Sequence, residues 1–163
     1  MHNINTKTLV GIAVADLMLL AAACTVPAMS HAFALPLYAI NPMLALLLAG
    51  VLLGRDWRNG LVLAVLMPLV SSIAVGMPAA PKMLCMMAEL ATVATVFGLL
   101  NRSWKALPAV FVAVFAGKVV YYALKALVIA PAVLVSTAWY IQFGSVVLWC
   151  SLFALAHRVI VNR

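Results

Sequence analysis

Six apolar runs, separated by short polar or proline-bearing breaks, make up most of this 163-residue chain. They extend from about Thr8 to Pro27, Met43 to Gly54, Gly60 to Val75, Met83 to Leu100, Leu107 to Ala130, and from Trp139 to Leu155. At 1.5 Å of rise per residue, about 20 apolar residues cross the roughly 30 Å hydrocarbon layer, so runs of this length predict membrane-spanning helices. The second run is short for a span unless it starts within the proline turn before it. Between the runs, Met29–Pro42 reads as a long loop and Arg55–Asn59 as a polar hairpin, while Pro131–Thr137 reads as a short loop. The break from Gly76 to Lys82 carries Pro78 and Pro81. Pro81 suits the first turn of a helix, where the amide that proline lacks would be unpaired anyway. Pro68, followed by Ser71 and Ser72, predicts a third helix in which hydroxyls satisfy freed carbonyls or line a cavity.

Composition turns this pattern into a class. The residues are 68% hydrophobic and only 8% charged, which leaves too little polar surface to cover a soluble domain. The expected fold is an all-α integral membrane protein surrounded by membrane lipid, one domain over residues 1–163, with six transmembrane helices in a compact bundle. The formal charge of +7 then has a topological meaning. With the N-terminus in the cytoplasm, Lys7, Arg55, Arg58, Arg102, Lys105, Arg158 and Arg163 all fall inside, which is the positive-inside distribution; six spans put the C-terminus inside too. No nucleic-acid partner is needed to explain the charge. Asp16, in the middle of the first run, argues against a cleaved leader. Cys24, Cys85 and Cys150 all lie in apolar runs and form neither a disulfide framework nor a metal spacing.

Candidate chemistry gathers toward the other face. The same orientation puts the Met29–Pro42, Pro78–Lys82 and Pro131–Thr137 loops outside. Glu89 lies about two turns inward from Lys82, and Lys118, Tyr121, Tyr122 and Lys125 share one face of the fifth helix by their i, i+3, i+4 and i+7 spacing. With Asn41 in the first outer loop and Trp139 opening the sixth run, these residues outline an outward-open pocket with more lysine than carboxylate, suited to a small anionic ligand. Each also has a structural reading. Glu89 pairs with Lys118 to join two helices, Lys125 snorkels to the interface, and the aromatics form an interfacial belt. Asp16 reads as a helix-packing contact. Gly11, Ala15 and Ala22 give the first helix a face that another helix can approach closely, either within the bundle or from a partner subunit. Catalytic triads, phosphate loops and paired-histidine metal motifs are missing from the sequence, so neither an enzyme nor a metal or cofactor site is expected.

Several of these segments, taken together, resemble a known family. The proline-rich first outer loop, Asn41-Pro-Met43, Leu46–Gly54, Gly76–Lys82 and Met86-Met-Ala-Glu-Leu90 look like the substrate-binding S components of energy-coupling factor transporters, nearest in character to the folate and pantothenate types. Ala91 and Thr92 follow the Glu-Leu pair where the family typically has glycine or tyrosine. The resemblance implies a bacterial plasma-membrane protein that captures a scarce vitamin or precursor from outside, with loops one, three and five holding it. It also implies association with a transmembrane coupling subunit and two ATPase subunits, followed by toppling in the membrane to release the cargo. Gly11, Ala15 and Ala22 would be the docking face. The competing expectation is a six-helix structural scaffold, without a small-molecule ligand, in which Glu89 and the lysines are packing pairs.

Overall fold

The computed structural model of the chain describes residues 6–32, 40–54, 56–128 and 139–161. Among these residues every regular element is a helix: α1 (Thr6–Ala32), α2 (Pro42–Gly54), α3 (Trp57–Val75), α4 (Ala80–Leu100), α5 (Ala106–Val128) and α6 (Trp139–Val161). The six apolar runs therefore become six helices, with differences at their edges. Helix α1 continues past Pro27 to Ala32, so the expected loop from Met29 begins as helix. Residues 33–39 of that loop, and the whole Pro131–Thr137 loop, lie outside the described residues.

Local chemistry explains where the described helices start and stop. Asp56 sits in extended backbone ahead of α3, and its carboxylate accepts a hydrogen bond from the Arg58 amide at 3.0 Å, capping the helix start. Helix α3 ends at Gly76, whose φ of 72° is the left-handed conformation that glycine adopts without a side-chain penalty. Pro81 falls in the first turn of α4, as its missing amide predicts. Pro68 is buried inside α3 without ending it. The Ser71 hydroxyl does not repair the ladder there. It donates to the carbonyl of Met77 at 2.7 Å and ties the end of α3 to the turn beyond it.

The helices pack in the order α3, α4, α5, α6, with α1 against α3 and α2 set between α1 and α6 while also touching α3 and α4. Apolar side chains from all six helices meet in the centre, including Ala23 of α1, Leu44 and Leu47 of α2, Leu63 and Met67 of α3, Leu90 and Val93 of α4, Val110 and Val114 of α5, and Cys150 of α6. Large apolar side chains also cover much of the outside. Phe115 is 71% exposed and Leu127 83%, a surface that water would penalise and lipid tails would not. Five helices, all except α2, are long and apolar enough to cross a membrane.

Helix α2 is the exception that shapes the molecule. Its 13 residues rise about 20 Å, well short of a roughly 30 Å hydrocarbon layer. It ends level with the start of α3, at the end of the bundle where α1 begins and α6 finishes, hereafter the base. Three contacts fix the depth of its other end. Asn41, just before α2, bonds Glu89, nine residues into α4, while Ile40 bonds Trp149, ten residues into α6. Lys118, which pairs with Glu89, lies ten residues before the end of α5. At 1.5 Å per residue each route places the start of α2 about 14 Å below the far end of the bundle. The short second run is thus a half-span that begins at mid-depth.

Candidate functional site

A polar cluster occupies the place where α2 begins. Lys118 Nζ lies 2.7 Å from Glu89 Oε1, and Asn41 Nδ2 donates to the same oxygen at 3.3 Å. Glu89 is 4% exposed, so its charge is withdrawn from solvent and depends on these two partners. Lys118 also lies 5.6 Å from the centre of the Tyr121 ring, a cation–π distance, and Tyr121 meets Tyr122 edge-on at 5.3 Å. The Tyr122 hydroxyl donates to the side-chain carbonyl of Gln142 on α6. Helices α2, α4, α5 and α6 are therefore linked by one run of polar side chains.

The backbone is shaped to allow the pair. Gly117 precedes Lys118, and a Cβ there would meet Val93 Cγ2 at 2.6 Å and the Glu89 carbonyl oxygen at 3.0 Å. Only glycine lets α5 approach α4 closely enough to hold Lys118 against the Glu89 carboxylate. Asn41 adopts φ of 50°, a left-handed conformation that asparagine tolerates better than most residues. Its carbonyl accepts from Leu44 at 3.1 Å and starts α2, which leaves its side chain to reach Glu89 instead of capping its own helix.

The expected pocket residues divide into three groups. Asn41, Glu89, Lys118, Tyr121 and Tyr122 are brought together. Lys125 stands two turns farther along the same face of α5 and is 9% exposed; it has no hydrogen-bond or ion-pair partner among the described residues. Its stem is buried, and because no unpartnered side-chain nitrogen is buried among the described residues its ammonium reaches the surface in the last turn of α5, an arrangement compatible with snorkelling. Lys82 is exposed in the first turn of α4, away from the cluster. Trp139 opens α6, and its side chain lies outside the described residues.

On α1, Gly11 is exposed, and a Cβ there would meet nothing within 4 Å, whereas Ala15 and Ala22 are half-buried against the bundle. Asp16 does make a helix-packing contact: Asn59 Nδ2 of α3 donates to its Oδ1 at 3.0 Å. Sequence patterning singles out neither Gln142 nor Gly117. A lone amide in the sixth run marks Gln142, but nothing local distinguishes Gly117 from other helical glycines. Its role depends on which helix lies opposite. Among the described residues no group of three or more His, Cys, Asp or Glu side chains is placed to hold a metal ion.

Comparison of the chain with known protein families, curated proteins and solved structures finds no match.

Proposed function

We propose that the chain is the substrate-capture subunit of an energy-coupling factor type importer, binding a small anionic vitamin or vitamin precursor from the far end of the bundle. The observation that carries this reading is the mid-depth cluster at the start of a half-length helix. Because α2 reaches only mid-depth, the outer halves of α4, α5 and α6 extend beyond it and leave a level where a ligand can enter. Interrupted helices ending at a mid-membrane site are a recurring transporter arrangement. Lys125 faces this level from α5. Each of the chain's three acidic residues has another role: Glu89 meets Lys118, Asp16 meets Asn59, and Asp56 caps α3. An ammonium at the end of a buried stem, with no carboxylate beside it, suits an anionic guest.

Charge distribution supports the direction of binding. Arg58, Arg102, Lys105 and Arg158 belong to the base and Lys82 to the far end, so the positive-inside tendency puts the base in the cytoplasm and the cluster's opening outside. Gly11, Ala15 and Ala22 remain the proposed contact with a transmembrane coupling subunit, and ATP hydrolysis belongs to two partner subunits. The localisation proposed is the bacterial plasma membrane.

One observation favours the second reading, a structural scaffold without a ligand. Glu89 is already satisfied by Lys118 and Asn41, as a packing pair would be. Affinity capture of the intact protein from its native membrane, together with uptake of labelled vitamins by whole cells, separates the readings. Co-purification with ATPase subunits and uptake lost in Lys125→Gln are expected. Recovery with cell-wall machinery, and uptake unchanged in Lys125→Gln and Glu89→Ala, would favour the scaffold.

A further inference from the structure

A second site lies at the opposite end from the polar cluster. The base contains a cavity of about 360 Å³ between the end of α2, the start of α3 and the ends of α4 and α6. That volume falls within the range of about 300–1,000 Å³ common for small-molecule sites. Its wall grades from apolar to polar. Trp57 and Phe97 stand on the apolar side, while Asn101, Arg102, His157 and Asp56 form the polar side. The side chains of Asn101 and Arg102 have no hydrogen-bond or ion-pair partner among the described residues. His157 engages Phe97 and Phe153 only through its ring, with centroids at 6.3 and 5.8 Å, so its nitrogens are uncommitted among the described residues as well. Asp56 uses one oxygen to cap α3 and keeps the other.

We propose that this cavity holds the headgroup of a phospholipid, and specifically one that carries a primary amine beside its phosphate. The position suits a lipid, because the cavity lies where four helix ends pass from apolar to charged sequence, at headgroup depth for a spanning bundle. Basic pockets between helices at this depth recognise lipid phosphates. Arg102 presents a planar fork of donors that matches phosphate oxygens, and Asn101 and His157 add neutral donors beside it. Trp57 and Phe97 cover the glycerol and the first methylenes. Asp56 supplies selectivity. Its free oxygen accepts from a primary ammonium, finds no donor on a quaternary amine and repels a headgroup that bears only negative charge. Surface charge alone predicts a different preference, because Arg58, Lys105 and Arg158 nearby favour anionic lipid in general.

This inference stands apart from the transport reading, since the cavity and the mid-depth cluster share no residue. It is tested by native mass spectrometry of the full chain released from phosphatidylcholine nanodiscs doped with phosphatidylethanolamine or with phosphatidylglycerol. The expected result is one retained phosphatidylethanolamine, in preference to both other lipids. Arg102→Gln is expected to lower retention about tenfold, as loss of a charge-assisted contact does, and Lys105→Gln, at the same depth outside the cavity, to leave it unchanged. Asp56→Asn keeps a helix-capping oxygen and is expected to keep phosphate binding while losing the preference for the amine. Three results would overturn the proposal: no lipid retained above the phosphatidylcholine background, equal losses in Arg102→Gln and Lys105→Gln, or soluble glycerophosphoethanolamine binding as tightly as the lipid. Should Arg102→Gln fail to fold, the lipid selectivity of Asp56→Asn decides, and an unchanged preference there counts against the proposal.

Discussion

Two carboxylates interrupt the apolar helices, and the bundle holds them by different means. Asp16, ten residues into α1, accepts one hydrogen bond from the amide of Asn59 at the start of α3 and stays half-exposed. At mid-depth, Glu89 of α4 is buried, meets an ammonium at 2.7 Å and accepts a second bond from Asn41. Burial accounts for the difference. A half-exposed carboxylate is only partly enclosed by protein, so a neutral partner suffices. A buried one is fully enclosed, and leaving it uncompensated costs several kcal/mol. That compensation takes a glycine on α5, an asparagine in left-handed backbone and the start of a half-length helix, all at one level.

Removing the ammonium should separate the two regions most sharply. Lys118→Ala leaves Glu89 buried without its counter-charge and is expected to destabilise the protein by about 3–5 kcal/mol, read as a lowered midpoint of unfolding in mild detergent. Replacing both partners, Glu89→Leu with Lys118→Leu, should recover most of that loss, because no charge is then stranded. Asn41→Gly comes next. It keeps the left-handed backbone but deletes the bond to Glu89, for an expected loss of about 1.5–3 kcal/mol by the same measurement. Gly117→Ala follows, at about 1–3 kcal/mol, because the added methyl pushes α5 away from Val93 and the Glu89 carbonyl. It should depend on the ion pair: in the Glu89→Leu, Lys118→Leu background its effect falls, which a double-mutant cycle detects. The smallest effect belongs to Asp16. Asp16→Ala is expected to change stability by about 1 kcal/mol or less, and a loss as large as that of Lys118→Ala would erase the distinction by burial.

The fold was largely legible in the sequence because apolar periodicity and length decide a membrane helix almost alone. The six runs match the six helices, and Pro81, Gly76 and Asp56 mark their ends by chemistry that is local to the chain. What the sequence did not carry was depth. The run from Met43 to Gly54 reads as a short span, and only contacts from Asn41 to Glu89 and from Ile40 to Trp149 reveal that it starts in the middle of the bundle. The Glu89–Lys118 pair was within reach of reasoning, since a buried carboxylate needs a partner and few cations lie within the spans. Gly117 and Gln142 were not, because their importance comes from the neighbouring helix. The base cavity was equally hidden: Asp56, Asn101, Arg102 and His157 come from three separate helix ends and look, one at a time, like ordinary interfacial polar residues.

Central to the proposed function is an anionic guest held at Lys125, in the far half of the bundle beyond the self-satisfied pair. Isothermal titration of the purified full chain against a panel of carboxylate- and phosphate-bearing vitamins tests it most directly. One panel member is predicted to bind, and Lys125→Gln to weaken it at least about tenfold, the loss of one charge-assisted contact, with the unfolding midpoint unchanged. Binding of equal strength in Lys125→Gln, or no binding by any anionic member of the panel, would contradict it.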